Sequence, residues 1–254
     1  MKRFKSALIL CIALFCCSLL CAESYFGTKA PTEPKAVGDI VFNDGSATPF
    51  AEGLELSKEQ KDAAVALIFH VGTACSDDDA NRTLGIGLRS GQAFLKWCDK
   101  KASAYMEYID TIYETTKNGS QNLEKIGEWL REHGKVDDTA TEKKYPAFHY
   151  SKKYGKQTKN MGIYTDGWYL PTKVELWTAF EQYDTLKAVC KVCKLPEISG
   201  LCWTSTQGNP KGNLLGWFAL LHCFYGEDDG DDFAGFFNDI SKPISYRVCA
   251  IREF

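Results

Sequence analysis

The sequence predicts an α+β fold. Segments with helical periodicity fill its middle, strand-like stretches close it, and the two do not alternate as a parallel α/β sheet requires. A hydrophobic share of 44% can fill a core. No internal repeat of solenoid period is visible.

The chain opens on Lys2, Arg3 and Lys5, runs apolar from Ala7 to Leu20 with Ser18 as its interruption, and reaches small or polar residues at Ala22 to Ser24. A basic flank followed by an apolar run too short to span a bilayer is the order of a secretory signal peptide, so residues 1–22 are expected to be removed. Two routes of processing stay open. Cys16, Cys17 and Cys21 lie where a lipoprotein signal carries its lipidated cysteine, which would attach the protein to a membrane through a lipid anchor only; the other route is simple cleavage after Ala22. The expected location is the cell envelope, lipid-anchored or periplasmic, or the medium. Residues 23–36, with Pro31 and Pro34, read as a tether, and 37–254 as a single domain.

Val37 to Ser46 reads as a strand closed by Asn43-Asp44-Gly45, residues that tolerate positive φ in a tight turn, so a hairpin is predicted there. Ser57 and Gln60 have capping-box spacing, predicting a short helix over Lys58 to Ala64 before the β-rich run Val65 to Val71. Phe94, Trp97, Cys98, Ala102, Tyr105, Ile109 and Ile112 recur three or four apart and predict a long helix from Gln92 to about Thr115. Further helices are predicted from Ser120 to His133, from Pro146 to Gly155, and from Thr172 to about Val189. The last of these has Thr172 and Glu175 as a capping box and Val174, Trp177, Phe180 and Tyr183 as its buried row. Trp203 to Thr206, Gly216 to Tyr225 and Ser245 to Phe254 then read as strands.

Loss of residues 1–22 removes three basic and no acidic side chains, so the formal net charge moves from -3 to -6. An acidic chain does not attract phosphate backbones, and Lys143, Lys144, Lys152, Lys153, Lys156 and Lys159 read as a solvated face; nucleic acid is not an expected partner. Seven cysteines remain: Cys75, Cys98, Cys190, Cys193, Cys202, Cys223 and Cys249. An odd number in an oxidising compartment implies at least one free thiol.

Gly167-Trp168-Tyr169-Leu170-Pro171-Thr172, Glu175-Leu176, Trp203-Thr204-Ser205 and the closing Arg247-Val248-Cys249-Ala250-Ile251-Arg252-Glu253-Phe254 form a recognisable string. It resembles the Lcl C-terminal-domain family, bacterial domains named after the end of a collagen-like adhesin, including longer spirochaete lipoprotein-like members. The resemblance spans Gly167 to Phe254. It implies a C-type-lectin-like fold: helices packed on a small twisted, mostly antiparallel sheet, long irregular loops forming the ligand face, and first and last strands paired. Phe254 would then be structural. Cys249 and Cys202 depart from the family pattern; a disulfide between them and two reduced core thiols are both open. The implied function is binding or adhesion to a glycan, a peptide or a matrix protein, without catalysis.

Cys190-Lys191-Val192-Cys193 is the one close cysteine pair, but it falls at a helix end, whereas a redox CxxC sits at a helix start where the dipole lowers the thiol pKa. It is also half a zinc site at most. His70, His133, His149 and His222 lie in no nucleophile motif, and Gly85-Ile86-Gly87 lacks the remaining parts of a phosphate loop. Asp77 to Asn81 opens like an EF-hand but has Leu88 where the closing Glu belongs. Glu227, Asp228, Asp229, Asp231 and Asp232 supply hard oxygen ligands on a predicted loop and are the candidate calcium site; no other cofactor is expected. Phe233, Phe236 and Phe237, with Asn238, follow in the same stretch and are the candidate ligand contacts. Two other functions stay in view: a thiol- or copper-dependent enzyme related to the formylglycine-generating group, and a structural envelope protein.

Overall fold

The structure, a computed structural model, describes residues 24–113, 116–208 and 240–254, and the backbone of 218–224 and 237–239. Its helices and mainly antiparallel strands make it α+β, as predicted. The expected calcium ligands Glu227, Asp228, Asp229, Asp231 and Asp232, and Phe233 and Phe236, lie outside the described residues.

Two sheets organise the strands. The first is built from β1 (Asp39–Phe42), β2 (Ala47–Pro49), β3 (Ala64–Gly72), β4 (Arg82–Gly87), β6 (Trp168–Tyr169) and β11 (Ile251–Glu253), in the order β2-β1-β3-β4-β11-β6. The second runs β5-β10-β7-β8-β9, from β5 (Phe94–Lys96), β7 (Gly200–Gln207), β8 (Phe218–Phe224), β9 (Phe237–Ser241) and β10 (Ser245–Arg247). Among the described pairs of this sheet, β10–β7 is parallel, with Arg247 opposite Cys202, and the others are antiparallel. The helices are α1 (Lys58–Ala63), α2 (Asn122–Glu132), α3 (Pro146–Gln157), α4 (Lys173–Phe180) and α5 (Tyr183–Cys193), with a 3₁₀ turn at Asp110–Ile112. No helix among the described residues is long and apolar enough to cross a membrane.

Strand alternation places two cores on the faces of the first sheet. Ile40, Phe42, Leu67, Phe69, Leu84, Ile86 and Ile251 meet Leu176, Ala179, Leu186 and Val189 of α4 and α5. Val41, Ala66 and Ile68 meet Tyr154, Met161, Tyr164 and Trp168. A third core joins α2 to the second sheet through Trp97, Ile126, Trp129, Phe148 and Trp203.

The hairpin, α1, β3, α2 and α3 follow the predicted pattern, and both predicted capping boxes are present. Residues of the expected tether lie along the hairpin: Lys29 bridges Ala47 and pairs with Asp39 at 2.6 Å, and Phe26 packs near Phe42. Other expectations are corrected. Gln92 to Thr115 is not a helix. Its backbone is taken by distant partners: β5 pairs with β10, Trp97 and Cys98 N–H donate to Lys242 O, and Asp99 N–H donates to Lys144 O at 2.8 Å. The helix-like spacing nonetheless marked burial, since Trp97, Cys98, Ala102, Ile109 and Ile112 share one core.

The predicted helix after Thr172 is two helices, broken at Glu181 and Gln182. Of the predicted buried row Tyr183 is buried and Val174 and Phe180 pack against the core, but Trp177 is 39% exposed, and the innermost residues of α4 are Glu175, Leu176 and Ala179. Ser245 to Phe254 is likewise two strands, one in each sheet. The first and last strands of 37–254 are not paired: β3 and β4 stand between β1 and β11. Across Gly167 to Phe254, however, the first strand β6 and the last strand β11 pair through Trp168 and Arg252. Phe237 and Asn238, expected in a loop, belong to β9, opposite His222 and Leu221 of β8.

Candidate functional site

Three consecutive residues of β6 and its exit enter three different cores: Trp168 one face of the first sheet, Tyr169 the other, and Leu170 the core of the second sheet. Alternation turns the Trp168 ring to Tyr154 and Phe254 and sends the Tyr169 hydroxyl the opposite way. Phe254 therefore packs as the sequence reading expected, with Tyr164 as a further neighbour at 4.9 Å.

The Tyr169 hydroxyl reaches a buried charge cluster. Arg82 Nη1 donates to Glu175 Oε1 at 3.0 Å and to Cys75 O at 2.6 Å, Nη2 donates to Tyr169 at 2.8 Å, and Nε to Glu253 at 3.1 Å. Tyr169 donates in turn to Glu175 at 2.7 Å, and Thr172 and Gly119 N–H donate to its other oxygen. Burial pushes the Glu175 carboxyl above the ordinary range against the pull of Thr172 N–H and Arg82. Burial opposes the Arg82 charge, but Tyr169 and Glu175 hold its pKa above the usual value. A fork of donors on one cation, each with its own acceptor, makes a brace rather than a proton shuttle. It ties β4, β6, β11 and the start of α4 together.

Trp203, Thr204 and Ser205 have the same kind of duty. Ser205 N–H donates to Pro171 O and Ser205 Oγ accepts from Asn122 Nδ2 at 2.8 Å, while Thr204 O accepts from the Trp97 indole. The residues of the recognised string thus hold the framework together.

Beside them lies a cleft of about 250 Å³ between the loop at Gly119 and Ser120, helices α2 and α3, and the strand segment 166–170. Leu123, Phe148, Trp168 and Leu170 supply its apolar lining, and Ser120, Glu124, Lys152 and Asp166 its polar rim. The rim charges are paired: Lys152 with Glu124 at 2.8 Å, and Asp166 with Lys156 at 2.6 Å. Lys156 beside it holds the Asp166 carboxyl below the usual range. The arrangement can receive an apolar or ring-shaped group and orient its polar edge. No spacing in the sequence assembled this cleft, because its walls come from three separate segments, 119–124, 148–152 and 166–170. The local signal was the recognised string, of which Gly167, Trp168, Tyr169 and Leu170 line it.

The thiols are buried at all six positions where they are described. Burial pushes the Cys98 and Cys190 thiols up to about 12 and those of Cys75 and Cys193 up to about 11. Cys190 and Cys193 sit in the last turn of α5, as the sequence placed them. Cys202 and Cys249 come together, with Cys249 Sγ donating to Cys202 Sγ at 3.4 Å. His70 is buried in β3, and its Nε2 has no hydrogen-bond partner. Asp77 accepts from Lys117 N–H, and Asp78 accepts from the Ser76 hydroxyl and Ala80 N–H, so carboxylates of the first acidic cluster are taken up by protein donors. Among the described residues no group of three or more His, Cys, Asp and Glu is arranged to hold a metal ion. Set against known proteins, the chain matches no family model and no curated protein sequence.

Proposed function

We propose that this is an exported, non-enzymatic binding or adhesion protein of the cell envelope, related to the Lcl C-terminal-domain family and C-type-lectin-like in fold, and that its ligand enters the cleft between α2, α3 and the segment 166–170. The cleft carries the proposal. It has an apolar lining and a rim whose carboxylates are held in ion pairs, an arrangement for recognition rather than for proton transfer. At about 250 Å³ it suits one sugar ring or one large side chain of a peptide or matrix protein. The β6–β11 pairing across Gly167 to Phe254 and the bracing role of Trp168, Thr172 and Glu175 support the family reading. Deep burial and raised thiol pKa values disfavour the thiol-dependent alternative, which needs an accessible thiolate. The basic-flanked apolar run at residues 1–22 supports export.

Ser120 is exposed at the rim, so Ser120→Trp should fill the cleft without disturbing the core. The exported protein, its mature mass measured to distinguish lipidation from simple cleavage, is applied to glycan and matrix-protein arrays with and without calcium. Binding is expected to fall at least about tenfold in Ser120→Trp, a loss of about 1.4 kcal/mol, with unchanged stability. Equal binding by both proteins would exclude the cleft. Turnover of a substrate in a hydrolase or oxidase screen would exclude the binding-protein reading itself.

A further inference from the structure

Cys202 and Cys249 are buried groups that the cleft and the charge brace do not use. Cys202 lies in β7, opposite Arg247 of β10, and Cys249 lies two residues beyond Arg247, in the link that carries the chain from the second sheet to β11 of the first. Their sulfurs are 3.4 Å apart, and both side chains are fully buried. The neighbouring thiols are placed differently. Cys75 Sγ donates to Thr178 Oγ1 at 3.6 Å, and Cys190 and Cys193 share one turn of α5.

We propose that Cys202 and Cys249 are a disulfide site, closed in the exported protein, that locks the crossing between the two sheets. A disulfide needs its sulfurs about 2.05 Å apart, so the two thiols must approach by a little over one ångström, within reach of side-chain adjustment. The bond would close a loop between positions 47 apart that contains β8, β9 and β10. Closure requires an oxidant, here a disulfide such as oxidised glutathione or an envelope thiol oxidoreductase. One cysteine loses its proton and attacks that disulfide, releasing one thiol from the oxidant. The second then loses its proton and attacks the mixed disulfide, releasing the other thiol, so that two electrons pass from the pair to the oxidant. Because both sulfurs are sealed from solvent in the finished fold, exchange takes place before the two sheets pack or during local opening.

This rests on the export proposed above, so the experiment has two preparations. Cys249→Ser would bury a hydroxyl and can unfold the chain on its own account; the unsubstituted protein is therefore used. In the first preparation the protein is refolded in a glutathione redox buffer, alkylated under denaturing conditions and digested. Peptides containing Cys202 and Cys249 should be recovered joined, and the intact mass should be two hydrogens lower than that of the reduced chain. Alkylation of both, or linkage of either to Cys190, Cys193 or Cys223, would overturn the site. In the second, protein from cells is alkylated at lysis, and the same link is expected. A pair that closes on refolding but arrives reduced from cells would overturn export to an oxidising compartment, and the closed state in the cell with it.

Discussion

Each sheet is braced around a buried cation, and the two do it differently. In the first sheet Arg82 spreads four hydrogen bonds over Glu175, Glu253, Tyr169 and Cys75 O. In the second, Lys242, fully buried after β9, donates to Ala104 O at 2.9 Å and Glu107 O at 3.2 Å and stands over the Trp97 ring at 4.7 Å. A guanidinium keeps its charge and matches carboxylates with a planar fork, whereas a buried ammonium lowers its pKa and accepts dipoles and an aromatic face. Burial accordingly pushes Lys242 down to about 8 from its ordinary 10.5, with Cys98 and Glu107 resisting. The first brace is electrostatically matched; the second is a cation fitted into a shell of carbonyls.

The largest expected effect comes from breaking the matched brace. Arg82→Ala leaves Glu175 buried without its cation, and removal of one partner of such a pair costs about 3–5 kcal/mol. Denaturant unfolding should show a loss of that order or a failure to accumulate folded protein. Arg82→Lys should recover only part of it, because an ammonium cannot reach Glu175, Glu253 and Tyr169 together. A cost below about 1 kcal/mol for Arg82→Ala would mean that water replaces the brace and that the contrast between the sheets is not energetic.

Lys242 gives the next effect, and it depends on pH. The folded pKa lies below the unfolded one, so the unfolded chain binds the extra proton between about pH 8 and 10.5, and this group's contribution to stability rises with pH through that window. Over the whole window the gain is about 3 kcal/mol, from 1.4 kcal/mol per pH unit. Buried tyrosines titrate in the opposite sense at the upper end, since burial raises Tyr154 and Tyr164 and the unfolded chain ionises first. The measurement is therefore the difference between the parent and Lys242→Met, which should shift in favour of the parent between pH 7 and pH 10. A difference independent of pH would show that burial does not lower the Lys242 pKa in the folded chain.

The same two regions explain what the sequence could and could not reveal. Hairpin, capping boxes and the β3 run were legible because local chemistry decides them: Asn43-Asp44-Gly45 turns a chain, and Ser57 and Thr172 cap helices whatever surrounds them. The strand β4 was hidden by Gly85 and Gly87. Their role is close packing, since a Cβ at Gly87 would lie 2.5 Å from the Tyr154 ring and one at Gly85 2.6 Å from Phe254. Residues 92–115 misled for the opposite reason. Their apolar spacing correctly marked a buried stretch, but its backbone partners, Lys242 and β10, lie more than a hundred residues away. Of the candidate site, Trp168 and Leu170 fell within the recognised string, but the cleft beside them depends on Gly119, Leu123 and Phe148, which no spacing rule connects.

The smallest effect asks whether burial, rather than motif, sets the worth of identical local chemistry. Ser57 and Thr172 each complete a capping box. Ser57 is exposed, and water can take over the Gln60 N–H when its hydroxyl is removed. Thr172 is fully buried; its Oγ accepts from Glu175 N–H at 3.2 Å and donates to Lys117 O at 3.1 Å, beside the charge brace. Ser57→Ala should therefore cost about 0.5–1 kcal/mol, and Thr172→Ala about 2 kcal/mol, because the second leaves the buried Glu175 N–H unmet. Thr172→Ser, which keeps the oxygen, should recover most of the loss, and unfolding midpoints of the three variants give the ranking. Equal costs for the two alanine variants would mean that the cap contributes only its local bond and that the brace holds α4 in place without it.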